Sequence, residues 1–141
     1  MKLLFGQNQY VGQIVGDALG VIFHGPYEAI GFLDNAGYVR GGAIFNNYNG
    51  SNIEVTVYAP NMATRGMIRA VMQYVFVQLK CNRLTAKTRR SNKVTQDMLP
   101  RMGFKFETTL KQWYGADRKD DAVQYVLTRD EALGKWLHRS S

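Results

Sequence analysis

The sequence predicts an α/β fold: a single mixed, mostly antiparallel sheet with helices on both faces. Three features point to it. Short apolar runs between Ala29 and Tyr58 are separated by turns rich in Asn and Gly, which reads as a meander. The stretch Asn52 to Phe76 then reads as strand, tight loop and long helix. Two later runs, Phe104 to Tyr114 and Ala122 to Leu127, read as a closing antiparallel pair. A meander followed by strand, helix, strand, helix and hairpin builds one sheet covered on both sides.

The elements follow in order. Lys2 to Phe5 predicts a short first strand. Asn8 is a helix N-cap candidate, with Tyr10, Val11, Ile14, Val15 and Ala18 at helical spacing through Leu19. Gly12 and Gly16 weaken that helix. Val21 to Pro26 is a loop or short strand. Ala29 to Leu33 and Tyr38 to Phe45 are strands joined by a turn at Asn35-Ala36-Gly37. A second turn, Asn46 to Gly50, uses an Asn-Gly pair suited to positive φ. In the next strand Ile53, Val55 and Val57 share one face, and Glu54, Thr56 and Tyr58 the other, until Pro60 ends it. A helix is expected from about Gly66 to Lys80, and a strand over Arg83 to Arg89. Asn92 starts a second helix that Gly103 ends, with Pro100 disrupting its last turn. Asp130 to Leu137 predicts a short final helix.

At 141 residues and 45% hydrophobic content the chain suffices for one domain, 1–141, with a substantial core. A net charge of +7 admits an acidic ligand, nucleic acid or an acidic protein surface. The lone Cys81 excludes an intrachain disulfide. The N-terminal residues lack the apolar core of a signal peptide, and no run approaches the ~20 apolar residues that span a bilayer. The expectation is a soluble cytoplasmic protein with no membrane partner. Its two histidines, His24 and His138, and one cysteine show no metal-ligand spacing, so no metal is expected. Cys81 reads as a buried small residue. Trp113 with Tyr114, and Phe104 with Phe106, read as core aromatics, the other reading being stacking platforms for bases.

Charge is unevenly distributed. From Val55 to Gln96 there is no Asp or Glu, yet Arg65, Arg69, Lys80, Arg83, Lys87, Arg89, Arg90 and Lys93 fall there. Arg65 and Arg69 stand at the start of a helix, where cations oppose the helix dipole and forgo a few tenths of a kcal/mol each unless an anion sits there. Gly66 lets the backbone approach such an anion closely. A phosphate-bearing ligand at the strand, loop and helix junction is the natural reading; the plain alternative is an ordinary helix start.

These residues resemble the GNAT superfamily of N-acetyltransferases over roughly residues 28–131. The strand, Pro60-bounded loop and helix resemble the family's pyrophosphate loop. Asn92 and Gly103-Phe104 stand at the family's spacing around the following helix, and Phe104 to Glu107 with Tyr125 to Leu127 fit its closing strands. The likeness is nearest to the branch that acetylates protein N-termini and to small bacteriophage-encoded members. In the loop only Gly66 is kept, with Asn61 and Thr64 departing from the pattern. Leu99 stands where many members carry a tyrosine acid.

The resemblance implies a sheet whose central strands Ile53 to Tyr58 and Arg83 to Arg89 are parallel and splay apart. It implies acetyl-CoA as co-substrate, its pyrophosphate cradled by backbone amides of Thr64, Arg65, Gly66, Met67 and Ile68, with charge from Arg65 and Arg69. Val57 and Tyr58 would run beside the pantetheine amides like an added strand, and Asn92 would bond that arm, unless it only caps its helix. Glu54, the one carboxylate near the centre of the fold, is the candidate base, its alternative a solvated strand residue. Tyr58 and Tyr114 are candidate acids by chemistry, their alternative packing. The implied activity is acetyl transfer by direct attack of a primary amine of a protein N-terminus, a lysine or a small molecule. A rival is an inactive GNAT-fold subunit of a homo-oligomer or virion assembly, placed in host cytoplasm or particle. A third is nucleic-acid binding or modification through the basic window.

Overall fold

A computed structural model describes residues 2–60 and 64–137. The meander forms as the alternation requires: β1 (Lys2–Leu4), β2 (Glu28–Leu33), β3 (Val39–Asn46) and β4 (Asn52–Tyr58) pair antiparallel in succession. Helix α1 (Asn8–Leu19) links β1 to β2. Helix α2 (Arg65–Met72) continues as a π-helical stretch, Gln73–Gln78, and crosses over to β5 (Arg83–Arg89), which lies parallel to β4. Helix α3 (Lys93–Arg101) leads to β6 (Lys105–Leu110) and β7 (Ala122–Thr128). The sheet has seven strands in the order β1-β2-β3-β4-β5-β7-β6. Helix α4 (Arg129–Ala132) runs on as π-helical Leu133–Leu137.

Helices cover both faces. On one, Val11 and Val15 of α1 bury against Ala29 and Ile44, with Tyr58 at the margin. On the other, Ile53 and Val55 of β4 and Leu84 and Ala86 of β5 pack under Met67, Val71, Val75 and Phe76, with Trp136 beside them. The period of two in β4 therefore sends Glu54, Thr56 and Tyr58 to the α1 face.

Several local expectations change. Asn8 does not cap α1, because its side chain accepts from Ala29 N at 2.9 Å and donates to Tyr27 O at 3.0 Å, tying the helix start to β2. Gln7 takes the cap position without a side-chain bond. Gly16 reflects close approach: a Cβ there would lie 2.6 Å from the carbonyl oxygen of Val21, so the glycine admits the chain that leaves α1. Pro100 does not break α3, which passes through it to Arg101 before Gly103 turns the chain at φ 100°.

The largest change is in the closing hairpin. β6 ends at Leu110, and Trp113 and Tyr114 belong to the loop before β7, not to a strand. Gln112 adopts φ 53°, and its N–H donates to Asp121 Oδ1 at 2.8 Å. Tyr114 N donates to Asp120 O at 3.0 Å. These bonds fold the loop back on itself and release the two aromatics from the sheet.

Candidate functional site

The parallel pair β4 and β5 opens partway along. Their register runs Asn52 to Arg83, Ile53 to Leu84, Glu54 to Thr85 and Val55 to Ala86, and stops there. β4 stays paired with β3 out to Tyr58, opposite Gly42, and β5 stays paired with β7 out to Arg89, opposite Ala122. So Thr56–Tyr58 and Lys87–Arg89 separate, each held by its outer neighbour. The expected splay is present. Backbone groups of Thr56–Tyr58 that face away from β3 have no strand partner there, which is uncommon for interior backbone.

The gap leads into a cavity of about 700 Å³. β4 supplies Glu54, Val57 and Tyr58, β5 supplies Lys87 and Arg89, and Asn92 with Met98 come from the start and body of α3. The chain after α1 contributes Val21 to His24, and the β6–β7 loop contributes Trp113 and Tyr114.

Charge within the cavity is organised. Glu54 Oε1 accepts from Lys87 Nζ, and Oε2 accepts from Asn47 Nδ2 at 2.9 Å. Both side chains of the ion pair are largely buried. The Lys87 ammonium also lies 4.9 Å from the centre of the Trp113 ring, a cation–π contact. Arg89 donates to Leu19 O at 2.8 Å, pairs with Asp120 at 3.4 Å and stacks over Tyr114 at 4.9 Å. One guanidinium thus joins the end of α1 to the β6–β7 loop. Burial pushes the Tyr114 phenol above its ordinary pKa; the Arg89 charge opposes this and the Glu54 charge adds to it. Tyr114 therefore keeps its proton at neutral pH.

Of the expected site residues, Glu54, Val57, Tyr58 and Asn92 meet at this cavity. Asn92 is also an N-cap, accepting from Thr95 N at 3.2 Å. Tyr58 packs partly into the α1 cluster. Thr64, Arg65, Gly66, Met67, Ile68 and Arg69 do not line the cavity; they start α2, beyond Pro60 at its rim. Asn61 lies outside the described residues. Thr64 caps α2 through Met67 N at 3.2 Å, and Ile68 N bonds Thr64 O at 3.1 Å. The amides of Arg65 and Gly66 lie in the first turn of α2, ahead of that intrahelical bond, at the positive end of the helix. Arg65 stacks 5.1 Å over the Trp136 ring, which fixes its exposed guanidinium beside the helix start. Leu99 is core, 1% exposed, and does not line the cavity.

The basic window is less unbalanced in space than in sequence. Arg83 pairs with Glu107, Lys87 with Glu54, Arg89 with Asp120 and Arg90 with Asp121. Among the described residues Arg65, Arg69, Lys80 and Lys93 form no ion pair. No group of three or more His, Cys, Asp and Glu stands ready for a metal among the described residues, and no helix there is long and apolar enough to cross a membrane.

The sequence matches no protein-family model and no curated protein. Its fold matches solved structures. A mutant of the spermidine N-acetyltransferase SpeG from Vibrio cholerae superposes over 100% of both chains with a TM-score of 0.71 at 13% identity. Mutant forms of the spermidine/spermine N-acetyltransferase SpeG from the same organism align over 99% of both chains, TM-score 0.69, at 15% identity. A dodecameric spermidine N-acetyltransferase from Vibrio cholerae in an intermediate state aligns over 82% of this chain and 70% of its own, TM-score 0.63, at 18% identity. The likeness over the whole chain, together with one seven-stranded mixed sheet and helices on both its faces, shows the GNAT fold.

Proposed function

We propose that this protein transfers an acetyl group from acetyl-CoA to a primary amine. The observation that carries the proposal is the parting of β4 from β5 into a 700 Å³ cavity edged by unpaired β4 backbone. The residues fit such a ligand. Val57 and Tyr58 offer backbone groups that an amide-bearing arm would satisfy as an added strand. The first turn of α2 at Arg65 and Gly66, with the guanidiniums of Arg65 and Arg69, suits a pyrophosphate. Asn92 and Met98 would flank the arm between them. Bound there, acetyl-CoA supplies an acetyl thioester.

The chain's own residues supply the rest. Glu54 accepts two hydrogen bonds, and a carboxylate has further lone pairs, so it can take a proton from an incoming ammonium. The neutral nitrogen forms the new C–N bond as the C–S bond breaks, its surplus proton leaving to water while the departing thiolate takes one from the donor. Tyr114, held protonated by burial, stands at the same cavity as the proton donor; Tyr58 is the second candidate. Positioning of two reactants in one cleft contributes much of the barrier reduction.

A second reading has a specific observation behind it. Glu54, Asn92 and Thr64 all have intramolecular partners, and Leu99 is core. A GNAT-fold subunit without catalysis, in a homo-oligomer or particle, would look the same. Thiol release from acetyl-CoA, followed with a thiol reagent across a panel of amines, separates the two. Amine-dependent release supports the enzyme; a flat response across amines, peptides and lysine supports the subunit.

A further inference from the structure

We infer that the acceptor is a primary amine carried on an apolar or aromatic body with no second cationic charge. This rests on the acyl-transfer reading and names its substrate class. The chemistry is shared by free arylalkylamines and by a peptide whose first residue is apolar.

Three large apolar side chains in the cavity lining stay exposed to solvent. Ile22 is 80% exposed, Val94 74% and Trp113 55%, and all three line the cavity. They come from three separate segments: the chain after α1, the first turn of α3 and the β6–β7 loop. Single exposed apolar residues need no explanation, but a converging set marks a binding surface. Phe23 continues the apolar wall inward.

Charge in the cavity selects further. Its lining holds one carboxylate, Glu54, against two cations, Lys87 and Arg89. Glu54 already serves Lys87 and Asn47. It can take one more ammonium, and a polyamine's second and third would meet no carboxylate in the lining. Bringing unpaired cations beside Lys87 and Arg89 costs desolvation and repulsion. A body of apolar carbon behind a single amine instead meets Trp113, whose ring is fixed by Lys87 at 4.9 Å and stays open to solvent elsewhere.

The test compares 2-phenylethylamine, a short peptide with N-terminal phenylalanine, and spermidine. Thiol release with saturating acetyl-CoA gives kcat/KM, and tryptophan fluorescence of the protein alone gives amine affinity. Expected is a preference for either aromatic amine over spermidine of at least about tenfold, the worth of one buried aromatic contact. Trp113→Ala should raise KM for the preferred amine about tenfold while acetyl-CoA affinity stays within about twofold. A preference for phenylethylamine assigns a free amine, and turnover of the peptide alone assigns a chain terminus. Equal or better use of spermidine overturns the inference, as does an unchanged KM in Trp113→Ala. If acetyl-CoA does not bind, the acyl-transfer reading fails. Fluorescence titration with the two small amines then still decides which class the cavity takes.

Discussion

Gly41→Ala probes whether the position of the β4 end matters to function. A Cβ on Gly41 would sit 2.1 Å from the Tyr58 carbonyl oxygen, 3.1 Å from its carbon and 3.3 Å from Ala59 Cα. All three are backbone atoms, so no side chain can swing aside. Moving the oxygen from 2.1 Å to the 3.4 Å of an ordinary contact pushes the strand end away from β3 by about 1.3 Å. That end is the edge assigned to the pantetheine arm. Overpacking of this kind costs about 1–3 kcal/mol, which at this chain length lowers Tm by roughly 2–12 °C. A misplacement near 1 Å in a reacting site costs on the order of 10²-fold in rate. Gly134→Ala is the control, since a Cβ there meets nothing within 4 Å. Thermal melts and thiol-release kinetics on both variants are the assay. Gly41→Ala should lose transfer and acetyl-CoA affinity together, and Gly134→Ala neither. A folded Gly41→Ala protein with wild-type rate and affinity would refute the link between this edge and the ligand.

Other variants address single groups. Glu54→Gln keeps the size and the Lys87 contact but removes the proton acceptor; transfer should fall by about 10²–10⁴-fold with acetyl-CoA affinity nearly intact, and a wild-type rate would remove Glu54 as base. Tyr114→Phe keeps the ring on Arg89 and removes the proton donor; kcat should fall by at least about tenfold with KM little changed, whereas the same loss in Tyr58→Phe alone would transfer that role. Glu131 is held at about 2 instead of 4.5, first by Lys105 and then by Thr128. Its ionised form thus favours the folded state above pH 4.5, and that contribution is lost as pH falls toward about 2. Tm of Glu131→Gln should decline less steeply than wild type across that window, and parallel slopes would contradict the assignment.

Strong local patterns were legible in the sequence. β5 spans Arg83–Arg89 as the apolar and turn pattern places it, and the alternation in β4 puts Glu54 and Tyr58 on the cavity face. What hid was tertiary. Glu54 and Lys87 lie far apart in sequence, and only the register Glu54 to Thr85 brings Lys87 within reach. Pairing of this kind, with Glu54, Glu107, Asp120 and Asp121, neutralises half of a basic window that looked like a polyanion surface. Trp113 and Tyr114 read as strand because they are aromatic and follow the run from Phe104 to Leu110 with no Gly or Pro between. The Tyr114-Gly115-Ala116-Asp117 stretch was the turn signal available. Asn8 looked like a cap because caps and tethers use the same side chain; its partners at Tyr27 and Ala29 appear only in the folded chain. The π-helical continuation of α2 breaks no apolar periodicity, so nothing in the residues announced it.

Calorimetric titration with coenzyme A, of the wild type and of Arg65→Glu at low and raised salt, tests the cleft as an acyl-carrier site most directly. The site predicts micromolar binding by the wild type that weakens as salt is added. Arg65→Glu, which puts an anion in the first turn of α2, should weaken it by more than about tenfold. No heat of binding in the wild type, or equal affinity in the two proteins, would contradict the assignment and leave the GNAT-fold chain a non-catalytic subunit.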